Sequence, residues 1–309
     1  MFTNKALRKS TFVFKTASDI ISLVFFRHGN YRFLKNHIRT HLQSKIKPVT
    51  WVSFFFATRA FSLFRSKEQP QKNQTYVAVK PIENLLSEAD ELYNENKYIE
   101  LYELLYPHKD DNEEILWRLA RLLYNMSKQE SSKEEKKRLV FEAYEFIDKA
   151  LAINDSNFAV HKWYAILLDM RASYDGIKAR VKELENVKTH MMRAVELNPK
   201  DATTFHMLGF WCFNISSMTW FQKKIASTLF AKPPSSSFEE ALFYFNKAEE
   251  VEPNFYSQNL LMLGKTYLQL KKEEKARYYL KLASNYPPRT DDDLQARKEA
   301  ADLLKNMEK

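Results

Sequence analysis

From Pro81 onward, apolar and polar positions follow the 3.6-residue period of helices that bury one face, and the pattern recurs in pairs. The clearest pair spans residues 259–288. It places Leu260, Leu263, Gly264 and Tyr267 in a first helix, and Ala276, Leu280 and Ala283 in a second that ends before Pro288. A small residue at Gly264 lets the first helix approach the second closely, where Ala276 and Ala283 offer flat places, and Pro288 stops the unit. Second halves of the same form recur as Ala143, Ile147 and Ala150, as Val187, Met191 and Ala194, and as Ala241, Phe245 and Ala248. Their first halves centre on Ala120, Ala165 and Gly209.

This spacing is that of tetratricopeptide (TPR) repeats, in which each helix pair buries its faces only by stacking on neighbours. The expected fold is therefore all-α, a TPR-like helical-repeat solenoid with inserted helices, spanning residues 81–309 and preceded by a basic segment at 1–80. The period is stretched: the terminal alanines Ala150, Ala194, Ala248 and Ala283 stand 44, 54 and 35 residues apart. Between the small residues of paired helices lie 23, 22, 32 and 12 positions, which predicts insertions of 11, 10 and 20 residues in the first three units. The third, around residues 217–237, is long enough for an extra amphipathic helix with Trp220, Phe221, Ile225 and Leu229 on its apolar side. Residues 81–108 read as a degenerate leading pair. Residues 290–309 read as a solvating end helix capped by Thr290, with Asp291, Asp292 and Asp293 at its positive end.

Charge divides the chain. Residues 1–80 hold 15 Lys and Arg against Asp19 and Glu68, a balance of +13, whereas the remainder carries −4 of the chain's net +9. Basic groups, scattered Ser and Thr and clustered Phe in the first part form the composition of an organelle-targeting or anchoring segment. Its two apolar stretches are broken by Lys15, Asp19 and Arg59 and fall short of the ~18 residues of a spanning helix, so interfacial attachment or import fits better. The other reading is a basic tail drawn to acidic surfaces such as lipid or a microtubule. Residues 66–80 read as a linker.

Composition excludes several chemistries. Four scattered glycines cannot form a phosphate-cradling loop, and one cysteine, Cys212, in an apolar run reads as a small buried hydrophobe. His37 and His41 share a helical spacing but lack a third metal ligand, and His161 and His206 fall in first helices as structural histidines. The acidic run at 109–114 reads as a solvated helix start. No catalytic residue, metal site or cofactor is expected, nor any specific nucleic-acid partner.

The stretches "HKWYAILL", "AVELNPKDATTFHMLGFWC", "PPSSSFEEALFYF" and "PNFYSQNLLMLGKTYL" resemble the regulator of microtubule dynamics family. The resemblance runs from about Pro81 to Met307. It implies a TPR-like domain without enzymatic activity, associated with microtubules and spindle poles in some members and with mitochondria in others, where one subgroup is thought to tether membranes and bind lipid.

A scaffold's partner is expected on the concave surface, lined by first helices. Counting from the small residues, the inward positions are Trp117, Arg121, Lys162, Ile166, His206, Phe210, Phe213, Leu261 and Lys265, with Tyr124, Asp169 and Leu268 one turn on. This groove is expected to take an amphipathic helix or an acyl chain, with Arg121, Lys162 and Lys265 meeting acidic groups at its rim, unless the aromatics are inter-helix packing. Two partner classes follow. One is microtubules or microtubule-associated proteins; the other is lipid or the mitochondrial membrane, reached through the groove or the N-terminal segment. The expected location is the mitochondrion, with cytoplasm, microtubule cytoskeleton and spindle poles as the alternative. Oligomeric state is left open.

Overall fold

The computed structural model describes residues 82–110, 112–230 and 233–308. The expectations for residues 1–80, including their targeting role and His37 and His41, lie outside that range. The described residues form twelve α-helices and one short 3₁₀ turn, without a strand. In chain order they are α1 (Ile82–Asn94), α2 (Tyr98–Leu105), α3 (Glu113–Gln129), α4 (Lys133–Ile153), α5 (Phe158–Tyr174) and α6 (Ile177–Leu197). There follow α7 (Ala202–Ser216), α8 (Trp220–Leu229), α9 (Phe238–Val251), α10 (Ser257–Gln269), α11 (Glu273–Ser284) and α12 (Asp291–Asn306).

The helices pack as the repeat pattern requires: α1 with α2, α3 with α4, α5 with α6, α7 with α9 and α10 with α11, with α12 closing the stack against α10 and α11. Successive pairs join through α4–α5, α6–α7 and α9–α10. Every small and apolar position of the repeat signature is buried, from Ala120, Ala143, Ile147 and Ala150 through to Gly264, Ala276, Leu280 and Ala283. One apolar core runs from α1 to α11, and a second joins α10, α11 and α12.

The leading pair shares its turn with the last, although its second helix has 8 residues against 12. Its turn at Asn96 (φ 58°) matches that of the last pair at Lys271 (φ 56°), and in each the next amide reaches back five residues, Lys97 to Leu92 and Lys272 to Tyr267, both at 2.9 Å. At the other end, Thr290 and Asp293 form the reciprocal cap expected of α12.

Two expectations are corrected. The 11- and 10-residue insertions in the first two units are not separate segments; they lengthen the paired helices, which run 17 and 21 residues in α3 and α4 against 13 and 12 in α10 and α11. Only the third insertion makes a helix of its own, α8, and its orientation differs from expectation. Ala226 is its one buried residue, Ile225 and Leu229 are half-buried, and Trp220 and Phe221 face outward. Burial follows the side that α6 offers, not the side with the largest rings.

Gly209 shows how close the pairs lie, because a Cβ there would stand 2.7–2.9 Å from the ring of fully buried Phe245. Gly209→Ala should therefore destabilise the domain by about 1–3 kcal/mol through overpacking, although alanine adds ~1 kcal/mol of helix propensity. Thermal denaturation followed by circular dichroism checks this: the midpoint should fall by roughly 2–10 °C. Adding Phe245→Leu should return part of the loss.

Candidate functional site: a polar ladder and an apolar cavity

The nine inward residues are not one open surface. Four of them join successive first helices. Arg121 of α3 pairs with Asp90 of α1 at 2.9 Å and lies over the Tyr93 ring, 3.6 Å from its centroid. Lys162 of α5 pairs with Asp201, the residue before α7, at 3.0 Å. His206 of α7 meets Asn259 of α10 at 3.0 Å, and Lys265 of α10 pairs with Glu299 of α12 at 2.7 Å. The rim cations thus meet carboxylates of this same chain, which any acidic partner would have to displace.

Of the apolar members, Trp117, Ile166, Phe213 and Leu261 are buried. The Trp117 indole donates to Glu114 at 2.9 Å and lies beside the Arg118 and Arg121 guanidiniums. Phe213 packs edge-on against Phe238, with the Lys265 ammonium 6.0 Å from its ring. Trp117 and Arg121 therefore sit together at one end of the stack, Phe213 and Lys265 together towards the other.

His206 and Phe210 open onto a mainly apolar cavity of about 270 Å³, bordered by α5, α6, α7 and α8. Its walls add Leu184, Val187, Met191, Trp211, Ile215 and Met218, all beyond the inward set. The α6 residues were legible only as packing positions, because repeat phase assigns them to the second helix of a pair. At the mouth, Arg180 pairs with Asp169 at 2.8 Å, and Gly176, with φ of 95°, turns the chain into α6. The Trp211 indole donates to the Leu184 carbonyl at 3.0 Å and ties α7 to α6 along the wall.

Two histidine sites have defined protonation. Asn259 donates its amide to the Phe245 carbonyl (3.2 Å) and to Glu249 (3.0 Å), so its oxygen accepts from His206 Nδ1–H. Burial pushes the His206 imidazole down to about 4, although that hydrogen bond favours the charged form. In the second site, His161 Nε2 donates to the Asp155 carbonyl at 2.7 Å, so its Nδ1 accepts from His190 Nδ1–H at 2.8 Å. His190 is likewise pushed down to about 4, by burial and then by His161. Cys212 is fully buried and burial pushes its thiol up to about 12, which removes thiolate chemistry at neutral pH.

The acidic run at 109–114 does more than start a helix. Asn112 caps α3, while Glu113 and Glu114 accept from Asn154 (2.8 Å) and Asn157 (2.6 Å), clamping the turn into the next repeat.

Because the folded state holds His206 neutral, the unfolded chain takes up its proton first as pH falls. Stability from this group is present above pH ~6.5, is lost as pH falls towards about 4, and changes no further below that. His206→Gln keeps a donor for Asn259 and removes the titration. Melts between pH 7.5 and 4.5 should show the variant losing less stability over this range than the parent chain; equal losses would contradict a neutral, buried His206.

Comparison with known proteins places these features. The family model for regulator of microtubule dynamics protein 1-3 matches residues 85–308. Regulator of microtubule dynamics protein 1 of Mus musculus is 43% identical over 256 residues, covering 82% of this chain and 84% of the relative. The Homo sapiens protein of the same name is 51% identical over 189 residues, covering 61% of this chain and 60% of its own. Regulator of microtubule dynamics protein 3 of Rattus norvegicus is 34% identical over 72% of this chain and 48% of its own length. Among solved structures, a TPR protein of Thermus thermophilus aligns with a TM-score of 0.48 at 17% identity, over 72% of this chain and 99% of that one. The chain belongs to the regulator of microtubule dynamics family, and its described domain is a TPR-like helical repeat.

Proposed function

We propose that this chain is a non-enzymatic scaffold that acts on microtubules, directly or through microtubule-associated proteins, with residues 1–80 addressing it to the mitochondrion. The observation that carries the reading is the family match over residues 85–308, together with 43% identity to a relative named as a regulator of microtubule dynamics along most of both chains. Charge supports a division of labour. The +13 segment suits an acidic polymer or an import route, whereas the mildly acidic repeat stack uses its inward-facing charges within the chain.

A second reading is favoured by the cavity between α5, α6, α7 and α8. Its lining is mostly apolar, and its volume of about 270 Å³ lies just under the ~300–1,000 Å³ of small-molecule pockets, which suits part of an acyl chain. In this reading the protein carries or senses lipid at the mitochondrial membrane.

The two readings separate experimentally. The full chain should co-sediment with polymerised tubulin at low salt, and the bound fraction should fall steeply as ionic strength rises if the basic segment contributes. Absence of the chain from the tubulin pellet at 50 mM salt would remove direct polymer binding. For the cavity, Leu184→Trp fills the space and should weaken a fluorescent fatty-acid probe at least tenfold while tubulin binding is unchanged. An unaltered probe affinity would locate acyl binding elsewhere.

A further inference from the structure

Helix α8 interrupts the third repeat, and its exposed side has an unusual composition. At 100° per residue, Trp220, Phe221, Lys223, Lys224, Ser227 and Thr228 share one arc, and all six are exposed. Trp220 is 73% and Phe221 62% exposed, the two most exposed large apolar residues among those described. The opposite arc, with Gln222, Ile225, Ala226 and Leu229, faces the protein. The helix is held ready-formed by the reciprocal cap between Thr219 and Gln222.

Charge along this stretch of the chain is one-sided. No Asp or Glu occurs between Asp201 and Glu239, in a domain whose overall balance is acidic, while Lys223 and Lys224 lie on the exposed arc. The Lys224 ammonium sits 5.0 Å from the Trp220 ring centroid. Both lysines also border an open cleft of about 550 Å³, shared with the hydroxyls of Ser216, Ser227, Ser235 and Ser236. Ser216, Ser227 and Ser236 already donate within the chain, to the Cys212 and Lys224 carbonyls and to Glu240, so the two ammonium groups are what this side offers to a phosphate-bearing head group.

From these observations we propose that α8 docks on an anionic lipid surface, with Trp220 and Phe221 entering the head-group region and Lys223 and Lys224 meeting lipid phosphates. Exposed aromatic rings carry an unfavourable hydration that a bilayer interface relieves, and lysines beside them are drawn to negative lipid. A protein groove would relieve the rings as well, but an acid-free arc carrying two lysines favours a surface of repeated anionic groups. This docking is independent of both readings above, since it needs neither tubulin nor a filled cavity.

The test uses the full chain with vesicles of brominated phosphatidylcholine containing 30% phosphatidylserine, and reads quenching of tryptophan emission. Trp220→Phe should abolish most of the quench, whereas Trp51→Phe, in the basic N-terminal segment, should keep the part due to Trp220. Lys223→Gln with Lys224→Gln should weaken the vesicle affinity of that part by roughly thirtyfold, about fivefold per lysine. Because Trp220, Lys223 and Lys224 are exposed, melting midpoints of their variants should stay unchanged, and this separates loss of docking from loss of fold. Equal quenching in Trp220→Phe and the parent chain would overturn the proposal. So would a Trp220 emission shift that follows protein concentration without vesicles, which would assign the face to a second copy, or one that appears only with tubulin.

Discussion

Everything in the repeat stack depends on how closely the two helices of a pair approach at one small residue. Where that residue is glycine there is no room for a methyl group: at Gly264 an added Cβ would lie 2.7 Å from Leu280, and at Gly209 a comparable distance from Phe245. Where it is alanine, at Ala120 and Ala165, the methyl itself is fully buried. This contact fixes which face of each first helix turns towards its partner, and so which residues are left to meet the first helix of the next repeat. The positions three before and one after the small residue inherit that second task.

Those positions carry the polar ladder. Arg121 to Asp90, Lys162 to Asp201, His206 to Asn259 and Lys265 to Glu299 each run from one first helix to its neighbour or to the cap before it. The three partly buried ion pairs among them contribute little net stability after desolvation, yet leaving one partner of any of the four unpaired is expensive, so they favour one register of stacking over others. The clamp from Glu113 and Glu114 onto Asn154 and Asn157 works in the same direction between second-repeat turns. A register fixed in this way keeps α6 and α7 at the separation that leaves the apolar cavity between them.

The sequence made the helix pairs legible because alanine, glycine and large apolar residues at fixed spacing have few other physical meanings in a helical chain. Gap lengths were less informative. Eleven extra residues can form a loop, a helix or three more turns of existing helices, and only the neighbours decide; in the first two units the helices simply grew. The inward set was legible as positions but not as a site. The carboxylates that meet Arg121, Lys162 and Lys265 lie 31, 39 and 34 residues away, one repeat distant, and nothing in the local pattern pairs them. The cavity was hidden for a similar reason, since six of its seventeen lining residues come from α6, where Val187 and Met191 read as ordinary core.

Helix α8 shows why periodicity alone misassigns a face. Trp220, Phe221, Ile225 and Leu229 form an apolar set by spacing, but the helix has only one neighbour of consequence, α6, and contact there is made by Ala226 flanked by Ile225 and Leu229. A ten-residue helix resting on a single partner can bury one narrow stripe, and the smallest side chain permits the closest approach. The two aromatic rings at its first turn are therefore left outside by geometry, in a stretch where no acidic residue offsets the lysines beside them. The ladder consumes the charges of the inner surface within the chain. The insertion leaves its own charges and rings free of such pairing, so the surface that departs from the repeat is also the one whose chemistry is directed outward.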